Sequence, residues 1–393
     1  MSTWMLCSLA LLWCLIIYHH LIYPIIMLRL QQRAVERAPQ TPSDSALKRV
    51  TIVVPAYNEA GVIADKIRNV ASLDYPSDKL KLVIACDGCK DNTAALAREV
   101  AAEWQAEHLN IQIIEFKENH GKVALLNRLI PEVNADIVAL SDASALISID
   151  ALKLAHQHFE DPQVGVVAAT YTLLNPGSEG EQRYWDYQIN IKRGEAAIGS
   201  PIGVHGALYL FRSHLFQPMP ADTINDDFIL PMEIVCRGYE ARYDCNLVAL
   251  ELEKASLNMD SQRRTRIAAG NLQQLLRLPK LLSPMLGGTA FSFLSGKALR
   301  ALMPLILLTQ LIVSALLALD SEAFLILTIL QLTGIVLARL SLLLPERLLN
   351  RYRFLKPIKI VFYLINGYYS SLIGTLRYLL GLDRGHWQSV SKS

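Results

Sequence analysis

The chain has 393 residues, room for two to three domains at about 150 residues each, and is 52% hydrophobic but only 19% charged. Its 38 Lys and Arg against 36 Asp and Glu leave a formal charge of +2, which excludes a nucleic-acid binder working through bulk positive charge. High aliphatic content excludes disorder, and six cysteines in such a length do not make a disulfide scaffold.

The excess hydrophobicity lies at the two ends. Met1–Leu28 carries no Asp, Glu, Lys or Arg and exceeds the ~20 residues a membrane-spanning helix needs. It reads as a signal anchor rather than a cleaved signal peptide, because a basic leading region is missing and Arg29, Arg33 and Arg37 follow the apolar run. Positive charge on the trailing side puts the N-terminus outside and the following domain in the cytosol. Three further apolar stretches, about Leu302–Leu319, Phe324–Leu344 and Ile358–Leu380, form a C-terminal membrane region over 300–380 with two to three helices. The third, with Asn366, Gly367 and Tyr368-Tyr369, suits either a span or an interfacial or re-entrant helix. The expected setting is a multi-pass protein of the inner (cytoplasmic) membrane, in contact with lipids.

Between the ends, 46–270 lacks a long uncharged run and has the size of one α/β domain. Strands are expected at Arg49–Pro55, Leu80–Cys86, Ile111–Phe116, Ala135–Leu140 and Val164–Ala169. Helices are expected at Gly61–Leu73, Asn92–Glu107, Lys122–Leu129 and Ile149–Phe159. Repeated β-α-β units imply a mainly parallel sheet with right-handed crossovers, whose ligands bind beyond the carboxyl ends of the strands. Asn271–Leu286 alternates apolar and basic positions, which predicts an interfacial amphipathic region over 271–299.

The residues after the strands are acidic. Pro55-Ala56-Tyr57-Asn58-Glu59 follows the first, Asp87-Gly88-Cys89-Lys90-Asp91 the second, and Ser141-Asp142-Ala143-Ser144 the fourth. No G-x-G-x-x-G follows the first strand, and Gly121-Lys122 lacks the rest of a P-loop, so a dinucleotide dehydrogenase and a Walker NTPase are disfavoured. Cys86 and Cys89 have C-x-x-C spacing, but no second pair completes a zinc site. Taken singly, Asp87-Gly88 reads as a turn, Asp142 as a helix cap and Asp226-Asp227 as a helix start. Together, carboxylates at strand ends bind ribose and base directly and a pyrophosphate through a divalent cation. The implied ligand is a nucleotide diphosphate.

In order along the chain stand V-V-P-A-Y-N-E at Val53–Glu59, D-G-C-K-D at Asp87–Asp91, H-G-K at His120–Lys122, S-D-A-S at Ser141–Ser144, N-D-D-F-I-L at Asn225–Leu230 and, partially matched, Q-R-R-T-R at Gln262–Arg266. By these motifs the chain resembles the membrane-integrated family 2 glycosyltransferases, the group of cellulose, chitin and hyaluronan synthases and related bacterial polysaccharide enzymes. The resemblance implies a GT-A-like α/β domain flanked by membrane helices. It also implies inverting transfer from a nucleotide-diphosphate sugar, a UDP-sugar by preference, to a glycan or lipid-linked acceptor. Pro55, Ala56, Tyr57, Glu59, Asp87, Lys122 and Asp142 would hold the nucleotide sugar, with Gln262, Arg263 and Arg266 over the diphosphate or acceptor channel. Gly206 and Asp226 would lie on the acceptor side. Asp142 and Ser144 would take Mg²⁺ or Mn²⁺, and Asp227 would be the catalytic base.

Two departures qualify the resemblance. Ser144 replaces the second acid of a D-x-D motif, which weakens a metal site and leaves open a catalytically silent, nucleotide-sensing subunit. Ile267 stands where processive synthases carry Trp, which favours single transfer to a polyprenyl phosphate.

Overall fold

The computed structural model describes residues 3–33, 47–105, 109–176, 179–252, 257–341 and 356–382. The chain divides into two compact units, one of 1–25, 256–276 and 294–384, the other chiefly 26–255 and 277–293.

The second unit is built on an eight-stranded sheet: β1 (Val50–Ala56), β2 (Leu80–Asp87), β3 (Asn110–Phe116), β4 (Ile137–Leu140), β5 (Ala145–Ile147), β6 (Val164–Leu173), β7 (Tyr209–Arg212) and β8 (Glu240–Glu251). Their order is β3-β2-β1-β4-β7-β6-β8-β5. Pairings β1–β2, β1–β4 and β2–β3 are parallel, as the repeated β-α-β pattern predicts, and so is β6–β8. The strand β7 runs antiparallel to both its neighbours, β4 and β6, and β5 runs antiparallel to β8. Every residue of β1 is buried, because helices cover both faces of the parallel half, and its sequence is accordingly an unbroken apolar and β-branched run. From β1 the chain first winds outward to β2 and β3, then returns to place β4 on the other side. The loops after β1 and β4 therefore flank the crevice where the winding reverses.

The helix Ile63–Ala71 buries Ile63, Lys66, Ile67 and Val70, the i, i+3, i+4, i+7 stripe of an amphipathic helix. A lysine occupies one of those core positions. Thr93–Gln105, Lys122–Leu129 and Ala151–His158 match the expected helices to within a turn or so at their ends. The 20-residue helix Glu179–Ile198 and the helix Asp226–Cys236 complete the domain.

The first unit contains helical segments from the N-terminal run, the helix Leu257–Arg277 up to 276, and the C-terminal helices. Three helices among the described residues are long and apolar enough to cross a membrane: Thr3–Leu30, Gly288–Leu317 and Glu322–Ser341. Many of their large apolar side chains point outward, Ile326 and Leu330 among them, as lipid contact requires. Lys356–Leu379 is one unbroken 24-residue helix. Its polar residues serve helix packing. Asn366 Nδ2 donates to the Ala338 carbonyl (2.9 Å), Tyr368 Oη meets His20 Nε2 (2.7 Å), and Arg339 lies over the Tyr369 ring.

One expected element differs. The helix anticipated over Asn271–Leu286 is instead the last turns of Leu257–Arg277, followed by short 3₁₀ segments at Pro279–Leu282 and Pro284–Leu286. Prolines 279 and 284 cannot continue an α-helix. Residues 256–276 group with the C-terminal helices, where Gly374 lets its helix approach so closely that a Cβ there would lie 2.1 Å from the Thr265 carbonyl oxygen.

Candidate active site

The first two strand-end loops are laced together. Asn58 adopts φ +57° and its Oδ1 accepts from the Lys90 amide (2.8 Å), while the Glu59 amide donates to Thr93 Oγ1 (2.8 Å) and the Ala60 amide to Asp91 (3.2 Å). Pro55 and Ala56 are buried in β1; Tyr57 and Glu59 are half-buried in the loop beyond it.

Asp87 is completely buried at the end of β2, and the chain itself occupies its carboxylate. The oxygens accept from the His120 amide (3.0 and 3.1 Å) and the Gly121 amide (2.8 Å). Gly88, at φ +66°, makes this seating possible, since a Cβ would fall 2.4 Å from the Asn119 nitrogen. Asp87 thus holds the loop that opens the helix Lys122–Leu129.

That loop delivers Lys122 to a cluster of acids. Its Nζ lies 3.3 Å from Asp142 Oδ1, after β4, and 3.2 Å from Asp226 Oδ2, at the start of the helix Asp226–Cys236. The next residue, Asp227, reaches the same place. A Cβ on Gly206 would sit 3.2 Å from Asp142 Oδ2 and 3.7 Å from Asp227 Oδ2. The Val204 amide donates to the Asp227 carbonyl (3.3 Å), which ties the glycine's loop to the helix start. Lys122, Asp142, Gly206, Asp226 and Asp227, separated by up to 105 positions in sequence, therefore share one crevice.

The electrostatics follow from this packing. Burial pushes Lys122 toward neutrality, but Asp142, Asp226 and Asp227 more than offset it and hold the ammonium above the usual lysine range. Burial likewise pushes Asp142 up, and Lys122, with His205 and Lys66, reverses that and keeps the carboxyl below its ordinary value. Behind the acids, Tyr209 on β7 is fully buried, and its phenol is raised well above its ordinary value by burial and by the same carboxylates.

Alanine at 206 is expected to lower turnover by about 10²-fold, because its methyl would intrude between Asp142 and Asp227, and ångström-scale displacement of reacting groups has that scale of cost. Unchanged far-UV circular dichroism with reduced sugar transfer would show it.

Gln262, Arg263 and Arg266 lie on the helix Leu257–Arg277; the side chains of Gln262 and Arg263 lie outside the described residues, and Arg266 is exposed. Ser144 is half-buried, and its carbonyl accepts from the Leu252 amide (3.2 Å).

Residues 48–270, more than half the chain, match the family described as "Glycosyltransferase like family 2". The chain belongs to that family. Over 239 residues it is 28% identical to a poly-beta-1,6-N-acetyl-D-glucosamine synthase of Staphylococcus aureus (strain MSSA476), covering 59% of this chain and 56% of the relative. A synthase of the same name from Staphylococcus epidermidis is 25% identical over 236 residues, 58% of this chain and 56% of its own. The chain thus spans a little over half the length of these curated relatives. A mannosyltransferase from Pyrobaculum calidifontis, solved with GDP-Man and Mn²⁺, superposes with a TM-score of 0.68 at 24% identity, covering 94% of this chain and 99% of the other. At that identity the likeness establishes the fold, which is GT-A-like.

The divalent cation implied for this family-2 chain can be tested against its donors. Asp142 presents its carboxylate beside Gly206, where a Cβ would lie 3.2 Å from Oδ2. Hard cations of this kind take oxygen ligands, and Mg²⁺ in particular is commonly held by one or two carboxylates plus substrate phosphates. Among the described residues no group of three or more His, Cys, Asp or Glu side chains forms a self-sufficient metal cage. The donor set fits an ion that arrives with a diphosphate.

Sequence reading missed Lys66, although a lysine on the core stripe of its helix was visible. It is fully buried; Nζ donates to Ser141 Oγ (2.6 Å) and the Ala145 carbonyl (2.5 Å), and Ser141 Oγ donates onward to the Ala207 carbonyl (2.6 Å). The residues flanking Asp142 and Gly206 are thereby tied together. Burial pushes the Lys66 pKa down to about 7, against the opposing pull of Asp142 and Glu251. A depressed folded-state pKa stabilises the fold fully above the unfolded value of about 10.4, and that contribution is lost as pH falls through about 7. Between those limits stability should rise by up to about 1.4 kcal/mol per pH unit. Thermal unfolding of Lys66→Met against the parent should show the slope in the parent alone.

Proposed function

We propose that the chain is an inverting glycosyltransferase that moves a sugar from a nucleotide-diphosphate donor to a glycan or lipid-linked acceptor at the cytosolic face of the inner membrane. The observation that carries this reading is the convergence of Lys122, Asp142 and Asp227 beside Gly206. The relatives' name specifies a β-linked polymer of N-acetylglucosamine, the outcome expected of inversion from an α-linked donor; the structural neighbour's GDP-Man shows the same fold serving another nucleotide.

The residues divide the work. Pro55, Ala56, Tyr57 and Glu59, after β1, line the nucleotide side of the crevice. Asp87 holds the loop that aims Lys122. The Lys122 ammonium, kept charged by its acids, lies where negative charge gathers on the departing diphosphate. Asp142 would hold a divalent cation with that diphosphate, Ser144 adding at most a neutral oxygen; when bound, the ion would neutralise the leaving group. Gln262, Arg263 and Arg266 are assigned to the diphosphate or acceptor path. Asp226, engaged by Lys122, keeps the cation in register on the acceptor side.

Asp227 accepts the proton of the acceptor hydroxyl as that oxygen attacks the anomeric carbon from the face opposite the nucleotide. The new glycosidic bond forms as the bond to the diphosphate oxygen breaks, and the nucleoside diphosphate leaves.

Incubating membranes that contain the protein with labelled UDP-, GDP- and dTDP-sugars, with and without Mg²⁺ or Mn²⁺, tests the reading. Metal-dependent incorporation from one donor is expected; release of label from none would reject it.

A further inference from the structure

Beside the acids lies a group of rings that the proposed chemistry has not used. Tyr184, Trp185 and Tyr187 stand on the otherwise polar helix Glu179–Ile198, Tyr171 on β6, and His205 immediately before Gly206. His205 stacks on Tyr171 with ring centroids 3.7 Å apart and planes 22° from parallel. Trp185 packs against both, 4.4 Å from Tyr171 and edge-on to His205 at 5.5 Å, and Tyr184 meets Trp185 edge-on at 5.4 Å. The His205 ring is fixed by accepting from the Ala207 amide at Nδ1 (3.1 Å), and it lies close enough to Asp142 to influence its charge.

The group has a buried floor and an open side. Tyr171 is buried, Trp185 and His205 are half-buried, and Tyr184 and Tyr187 are each 36% exposed. Rings with polar edges, partly open to water, form a row that ends one residue from the glycine between Asp142 and Asp227. A pyranose has the complementary chemistry. Its C–H face packs on an aromatic ring while its rim of hydroxyls stays available to polar groups.

Resting on the glycosyl-transfer reading above, we propose that Trp185 and His205, backed by Tyr171, form the platform on which the terminal pyranose of a saccharide acceptor stacks, with its nucleophilic hydroxyl directed toward Asp227. The acceptor in this assignment is a sugar chain rather than a bare lipid phosphate.

The test uses the full-length protein and the donor identified by the panel, with two acceptors: a β-linked N-acetylglucosamine tetrasaccharide and undecaprenyl phosphate. Acceptor-independent hydrolysis of the donor is measured in parallel. Trp185→Ala is expected to raise the KM for the tetrasaccharide about tenfold, in line with the loss of roughly 1.4 kcal/mol of stacking. Donor KM and donor hydrolysis should stay within about twofold, and Trp185→Phe, which keeps a ring, should recover most of the affinity. An unchanged tetrasaccharide KM in Trp185→Ala, an equal fall in donor hydrolysis, or transfer by the parent to undecaprenyl phosphate alone would each overturn the platform while leaving glycosyl transfer standing. A parent protein that neither hydrolyses nor transfers any donor would overturn both.

Discussion

Asp227→Asn is expected to lower kcat for sugar transfer by about 10²–10⁴-fold, the scale of a lost general base, with donor affinity within about twofold of the parent. The two consecutive acids at the head of the helix Asp226–Cys236 have different surroundings. Asp226 is buried and engaged by Lys122 at 3.2 Å; Asp227 keeps partial solvent access and lies beside the space that Gly206 leaves open. Asparagine preserves the shape of the side chain and the Val204 amide contact, which is to the backbone, but cannot take a proton. Single-turnover kinetics together with calorimetric titration of the donor separate the two effects. Parent-like turnover would remove Asp227 from the chemistry.

Lys122→Met should have the largest effect on stability. It strips the cation from between Asp142 and Asp226, and breaking a buried ion pair by removing one partner typically costs about 3–5 kcal/mol. Donor binding should weaken as well, because the diphosphate would meet carboxylates with no compensating charge. The double variant Lys122→Met with Asp226→Asn is expected to regain much of the stability but not the donor affinity, since it removes the stranded charge without restoring the ammonium. Melting temperatures and donor titrations on the parent, the single and the double variant make this comparison. Equal destabilisation of the single and double variants would contradict the pairing.

The parallel half of the sheet was legible because its strands are buried on both faces, so that VTIVVPA and LKLVIACD announce themselves as apolar runs bounded by turn residues. The antiparallel half was less visible. β7 has only four residues, and β8 mixes Glu240, Arg242, Asp244 and Glu251 with small apolar residues, so neither gives a clean period. The positions of Asp142, Lys122 and Asp227 could be expected from their motifs, yet their meeting depends on long-range packing: the loop on Asp87, the glycine at 206 and the register of β4 against β7. The Asp87 carboxylate shows the limit of motif reading. Its position in D-G-C-K-D marked it for ligand contact, and only the fold reveals that backbone amides of the next loop also bind it. Lys66 is the opposite case, a charged residue whose place on an apolar stripe was written in the sequence and whose partners were not.

The anomeric configuration of the product is the most direct test of the central claim, that Asp227 deprotonates an acceptor for a single displacement at the anomeric carbon. An α-linked nucleotide sugar labelled with ¹³C at that carbon, followed by NMR through one turnover, should give a β-linked product. An α-linked product would mean retention, which a single displacement from the opposite face cannot give, and would contradict the assignment.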